Sequence, residues 1–269
     1  MYKFLLFSLV LCMPFFSFGQ DRYKKGDILY VMAPSGLRMR QSPQKGATMT
    51  TIPYGAKVKV EGFPTGEEIN KYRQKVDGIW GFWPKVTYDG GTGYVFDGFL
   101  SRLPTPALGD GDIKAYLLNH YEAMSETITR RKYFPEEEQW TEDRLRVFKW
   151  KEFVVVYESL NIGWGGEEHI LEVRGADWQE MYLLLKAFYH TSFQNVLKNI
   201  EKARNGEKEA LCYTGYTEED YQKFYKTYSE LTIPNGSIAY DFFLCECYEG
   251  VELKEMGHTI RLSYGMGCH

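Results

Sequence analysis

The sequence predicts two domains: a small all-β barrel, then a separate α+β domain with an antiparallel sheet packed by helices. Three observations predict it. Short β-rich runs divided by glycine and proline fill residues 26–103. A break rich in proline and glycine follows, Leu103-Pro104-Thr105-Pro106-Ala107-Leu108-Gly109-Asp110-Gly111, and such a segment interrupts regular structure. Beyond it, helical stripes are separated by runs of strands and not by single strands, which favours an antiparallel sheet. The 269 residues are 44% hydrophobic and 25% charged, with a net charge of −4. This composition fits neither disorder nor coiled coil. The mildly acidic total argues against a nucleic-acid partner, which requires a basic face to displace counterions from phosphate.

At the N-terminus, Lys3 precedes the apolar run Phe4 to Met13, and the small residues Ser17 and Gly19 stand just before Gln20-Asp21-Arg22. That order is the order of a secretory signal peptide, with cleavage expected after Gly19. The run is too short to span a bilayer, and no later stretch approaches ~20 apolar residues. A periplasmic or extracellular protein without a transmembrane segment is therefore expected. Leu11 stands where a lipoprotein signal carries a small residue, so Cys12 is not expected to be lipidated. Removal of residues 1–19 leaves Cys212, Cys245, Cys247 and Cys268, an even number in a compartment that permits disulfides. All four are disulfide candidates, with three pairings open. Cys245 and Cys247 on one strand would point to one face and be poorly placed to bond each other. Free buried thiols are one alternative, and a zinc site with His258 or His269 is another. The Cys-x-Cys spacing is weak as a metal motif, and no metal or other cofactor is expected.

The barrel's strands are expected at Ile28 to Met32, Leu37 to Arg40, Lys57 to Glu61, Gly81 to Thr87 and Gly93 to Phe96. Lys57-Val58-Lys59-Val60-Glu61 alternates strictly, placing both valines inside. Asp89-Gly90-Gly91 supplies residues that tolerate positive φ, as a tight hairpin requires, so the strands on either side should pair. Tyr54, Trp80, Phe82, Trp83 and Tyr94 are the aromatics expected to line a ligand groove, with core packing as the competing role for each.

Four blocks in order carry a resemblance: Gly36-Leu37-Arg38-Met39-Arg40-Gln41-Ser42-Pro43, Ile52-Pro53-Tyr54-Gly55-Ala56-Lys57-Val58, Trp83-Pro84-Lys85-Val86, and Gly91-Thr92-Gly93-Tyr94-Val95-Phe96 with Leu100-Ser101. Together they resemble a bacterial SH3-like (SH3b) domain, here residues 20–104. The resemblance implies attachment or targeting in the cell envelope, for instance by binding cell-wall peptide, and implies no catalysis. Two departures stand out: the connection from Gly62 to Gly78 is longer and more charged than usual, and Pro84 interrupts an expected strand. Residues 20–104 carry 13 basic against 8 acidic side chains, net +5, whereas 105–269 carry 18 against 28, net −10. A basic barrel is drawn weakly toward anionic envelope polymers.

After the linker 105–111, the domain 112–269 should open with a helix. Ile113, Tyr116, Leu117, His120, Tyr121, Met124 and Ile128 recur at helical spacing, and Arg130, Arg131 and Lys132 near the end suit the dipole. Asp177 and Glu180 form the capping box of a second helix, whose stripe runs from Trp178 to Ile200 and should stop near Gly206. A third helix should start at Thr217. Strand-like runs lie at Leu145 to Trp150, Phe153 to Ser159, Ile170 to Arg174, Ile238 to Tyr248 and His258 to Tyr264.

His120, His169, His190, His258 and His269 are candidate bases, but no hydrolase, phosphate-loop or dinucleotide motif surrounds them. The segment Asn161 to His169 is expected to be a glycine-rich hairpin tip, with a binding site as the alternative. The expected function is an exported, non-catalytic envelope-binding protein whose partner is cell-wall peptide or an envelope protein. The alternative is a cell-wall or polysaccharide hydrolase using His169, Glu167 and Glu168, or a cysteine site near Cys245, in the C-terminal domain.

Overall fold

The computed structural model describes residues 22–64, 71–108, 113–123, 128–134, 139–150, 153–162, 166–188, 190, 237–244 and 247–268. The N-terminal part is all-β. Its strands are β1 (Ile28–Val31), β2 (Leu37–Arg40), β3 (Thr48–Ile52), β4 (Lys57–Gly62), β5 (Gln74–Val76), β6 (Ile79–Gly81), β7 (Lys85–Tyr88), β8 (Gly91–Tyr94) and β9 (Leu100–Ser101), with a 3₁₀ turn at Asp97–Phe99. Seven of them form one antiparallel sheet in the order β3-β2-β8-β7-β4-β1-β9, while β5 and β6 form a separate ribbon. The sheet curls around a core that includes Leu29, Val31, Leu37, Met39, Ile52, Val58, Val60, Trp83, Val86, Val95 and Phe96.

The alternation in β4 does what it predicts: Val58 and Val60 are buried while Lys57 and Lys59 are exposed. Strands β7 and β8 pair from Lys85↔Tyr94 to Tyr88↔Gly91, across Asp89 and Gly90 at φ 47° and 73°. Positive φ at both central residues is the type I′ geometry that matches strand twist. The long charged connection after β4 contains the β5/β6 ribbon, in register Gln74↔Gly81. Pro84 lies just outside β7, and its carbonyl accepts the Val95 N–H at 3.2 Å, so its missing donor costs no ladder bond.

The C-terminal part holds α1 (Ile113–His120), β10 (Glu122–Ala123), β11 (Ile128–Phe134), β12 (Gln139–Trp150), β13 (Phe153–Ile162), β14 (Gly166–Arg174), α2 (Trp178–Phe188), β15 (Ser237–Leu244), β16 (Cys247–Met256) and β17 (Thr259–Cys268). Its strands form one antiparallel sheet in the order β10-β12-β13-β14-β17-β16-β15, with β11 also paired to β12. Phe153, Val155 and Tyr157 of β13, Leu171 and Val173 of β14, and Leu253, Ile260 and Leu262 pack in one cluster with Met181, Tyr182, Leu184, Leu185 and Phe188 of α2. The period of two along each strand and the period near 3.6 along the helix bring these residues to one side.

Three expectations are corrected. The single strand expected from Gly81 to Thr87 is divided, β6 ending at Gly81 in the ribbon with β5 and β7 starting at Lys85 in the main sheet. The first helix stops at His120, and Ile128–Phe134 is a strand in register with Gln139–Leu145. Ile128, Thr129, Tyr133 and Phe134 are β-formers, and a cross-strand ladder overrides the weak helical spacing they share with Ile113. The single strand expected from Ile238 to Tyr248 is two, β15 and β16, closing at Leu244↔Cys247. Cys247 opens β16, while β15 ends at Leu244. Cys245 lies outside the described residues, as do Cys212, the second helix beyond residue 190 and the third helix at Thr217.

The two cores touch. Met32, Ile79 and Leu103 of the first hundred residues belong to the second cluster. Leu103, Pro104 and Pro106 are buried, and two tyrosines hold this segment: Tyr116 Oη donates to the Pro104 carbonyl at 2.8 Å and Tyr54 Oη to the Pro106 carbonyl at 2.9 Å.

Candidate functional site

The β1–β2 turn, β2, the β5/β6 ribbon and α2 surround a cleft of about 390 Å³, within the size range of small-ligand sites. Trp83, Phe96 and Phe99 give it an aromatic lining. The rings hold one another in place, with Trp83 and Phe96 centroids 5.9 Å apart and Phe96 and Phe99 edge-to-face at 5.6 Å, contacts that add to simple burial. Gln74 Oε1 accepts the Trp83 indole N–H at 3.1 Å, fixing the ring's orientation.

Polar groups ring this surface: Arg38, Arg40, Gln44, Gln74, Asp77 and, from α2, Lys186. Three cations thus face one carboxylate. β2 has the burial pattern buried, exposed, buried, intermediate for Leu37-Arg38-Met39-Arg40, so the strand's period puts both arginines opposite its core face. Arg40 Nη1 donates to the Gly46 carbonyl at 2.8 Å, and its guanidinium carbon lies 5.8 Å from the Trp83 ring centroid. Its Nε is buried without a partner among the described residues, an arrangement that costs free energy unless a ligand or water satisfies it. Chemically the cleft suits a small anionic group attached to an apolar or peptide-like body.

Of the aromatics expected to line a groove, only Trp83 lines this cleft. Tyr54 packs against the second core and is engaged by Pro106. Trp80 is half exposed on β6, with the Arg73 guanidinium 4.5 Å and the Lys75 ammonium 6.0 Å from its ring centroid. Tyr94 is half-buried against the barrel core. Sequence reasoning missed Arg38, Arg40, Gln74 and Lys186. For the arginines the strict alternation in β2 was an available signal, whereas Gln74 and Lys186 arrive through tertiary packing.

A second polar cluster lies where α2 meets the barrel. The capping box is formed as expected: Asp177 Oδ1 accepts the Glu180 N–H at 2.8 Å, and Glu180 Oε2 accepts the Asp177 N–H at 3.1 Å. The same carboxylates clasp the barrel. Arg22 Nε donates to Asp177 at 2.6 Å, and Arg102 binds Glu180 through Nη2 at 2.7 Å, Nε at 3.0 Å and its backbone N–H at 2.7 Å. Gln179 Nε2 adds a bond to the Gly98 carbonyl at 2.6 Å. Burial pushes the Glu180 carboxyl above its ordinary range, against the pull of Arg102 and Arg22. Burial also raises the neighbouring Asp97 to about 6, opposed by Arg22 and by the Phe82 N–H it accepts at 2.7 Å.

On the far sheet, Ile162↔Gly166 pair directly, so Asn161 to His169 spans a hairpin whose residues 163–165 lie outside the described set. His169 Nδ1 is 2.7 Å from Tyr157 Oη, with the rings stacked at 6.0 Å. Glu167 and His169 occupy alternate positions of β14, while Glu168 occupies the opposite-face position between them. His120, on α1, packs against Tyr116 with ring centroids 5.1 Å apart. His258 is exposed in the β16–β17 turn, His190 is half-buried, and His269 lies outside the described residues. Among the described residues, no group of three or more His, Cys, Asp or Glu is placed to hold a metal ion. No helix among them is long and apolar enough to cross a membrane.

No curated protein matches this chain, and no solved structure matches it. Residues 35–101, which include the three aromatic rings and both arginines of the cleft, match the family model described as Bacterial SH3 domain. The chain therefore carries a bacterial SH3 domain, an SH3b domain, followed by a C-terminal region that this family does not cover.

Proposed function

We propose that the protein is exported and binds the cell envelope without catalysis, its SH3b cleft taking a carboxylate-bearing segment of cell-wall peptide. In this account residues 1–19 are a signal peptide removed on export. Residues 20–104 are the binding barrel, 105–111 a connecting segment, and 112–269 an α+β domain that the barrel positions at the envelope. SH3b domains in general serve wall binding or targeting, and the basic balance of 20–104, net +5, favours anionic polymers. The observation that carries the proposal is the juxtaposition of Arg38, Arg40 and Lys186 around Trp83, Phe96 and Phe99. Cations pair with a carboxylate through charge-assisted bonds, and the rings supply apolar area for the peptide body.

Co-sedimentation of the full chain with purified peptidoglycan tests this at low and at raised salt. Retention that weakens with salt is expected, since exposed charges are screened beyond about 8 Å at physiological ionic strength. Arg38→Glu should weaken binding about tenfold or more, the scale of one charge-assisted bond. Lys254→Glu, an exposed change on β16, should leave binding unaltered. No retention of the unaltered chain would contradict envelope binding, and equal retention of the Arg38→Glu chain would contradict the cleft.

A further inference from the structure

We infer that Cys247 and Cys268 form a cross-strand disulfide at the open end of the β16–β17 pair. The inference stands on register and does not depend on the proposed ligand. β16 and β17 run antiparallel without a register shift from Met256↔Thr259 to Cys247↔Cys268. Gly257 and His258 form the two-residue turn between them, and Gly257 has φ 66°, the positive first position of a type II′ turn. The pair that closes such a turn exchanges both backbone hydrogen bonds, and along an antiparallel ladder the two pair types then alternate.

Cys247 and Cys268 lie nine register steps beyond the closing pair along their strands. An odd count makes theirs a non-hydrogen-bonded pair, in which Cα atoms approach to about 4.5 Å. This falls at the close end of the roughly 4.4–6.8 Å span that a disulfide bridges. The alternative parity would place the same residues about 5.5 Å apart with the backbone bonds between them.

The position also needs a tie. Among the described residues, the last pair of β14 with β17 is Glu167↔Met266, and the last pair of β15 with β16 is Leu244↔Cys247. Among the described residues, the strand partner of β17 at Cys268 is β16. By the period of two, Cys247 and Cys268 hold strand positions in phase with the cross-strand pair Leu253↔Leu262. The bond needs an oxidant: the two thiols lose two protons and two electrons as the S–S bond forms. A disulfide donor, a small-molecule or protein disulfide, takes them up and becomes two thiols.

The full chain, reduced and then freed of reductant, is incubated with oxidised glutathione, alkylated and digested after glutamate. Glu246 separates Cys245 from Cys247 in that digest, so the linkage is unambiguous. The expected product joins the fragment 247–249 to the fragment 256–269, with neither cysteine alkylated. A chain carrying Cys212→Ser and Cys245→Ser should give the same linked product, and Cys268→Ser should leave Cys247 alkylated. Alkylation of both Cys247 and Cys268, or a link from Cys268 to Cys212 or Cys245, would overturn the assignment.

Discussion

Glu180 shows how one side chain can serve two structures at once. Its side chain is fully buried, it caps α2 through the Asp177 N–H, and it receives three donors from Arg102. Removing one partner of a buried pair strands the other charge, so Glu180→Ala should destabilise the protein by about 3–5 kcal/mol in urea unfolding. The half-exposed pair Arg261–Glu172 is the contrast, and Glu172→Gln should cost no more than about 1 kcal/mol. Asp97 gives the pH dependence its sign. Because burial raises its folded pKa to about 6, the native state binds this proton more tightly than the unfolded chain does. The stabilisation is fully present below about pH 4 and is lost as pH rises through about 6. Glu180 acts in the same direction. Asp97→Asn keeps an acceptor for the Phe82 N–H and should flatten the fall in stability between pH 4 and pH 7, as measured by urea unfolding at each pH. An undiminished slope would contradict this role.

The elements were legible where a local rule set them. The capping box at Asp177 and Glu180, the Asp89-Gly90 turn and the valine alternation of β4 each depend on residues a few positions apart, and the fold honours all three. Ile128 keeps helical spacing with Ile113 while its neighbours favour a strand, and only the partner strand β12 decides between them, ending α1 at His120. Between β15 and β16 the sequence offers no glycine or proline to mark a break. β3 was missed because four of its five residues are exposed, which leaves no alternation to read. In the β16–β17 turn the signal is Gly257 at φ 66°, with open space where a Cβ would stand. Gly257→Ala should therefore cost about 1 kcal/mol in urea unfolding, from backbone conformation alone. A loss several times larger would show that the turn packs against something.

At the scale of the molecule, two hydrophobic interiors are joined along one seam. Met32, Ile79 and Leu103 cross into the second core, and Arg22 and Arg102 of the barrel grip the first turn of α2. None of this was legible in the sequence, because Arg22 and Asp177 stand 155 positions apart and charge pairing at that distance has no periodic signature. The seam predicts that the chain unfolds as one cooperative unit, and that Arg22→Ala with Arg102→Ala separates the melt into two transitions by calorimetry. It also explains why the cleft was only partly visible beforehand: the barrel contributes Arg38, Arg40 and Trp83, whereas Lys186 is delivered by α2. The most direct test of that cleft is the indole N–H resonance of Trp83 in the ¹⁵N-labelled full chain, titrated with a soluble carboxylate-bearing wall peptide. A saturable shift at Trp83 with the exposed Trp80 resonance unmoved is expected, whereas a saturable shift at Trp80 alone, or none at Trp83, would overturn the assignment of the cleft.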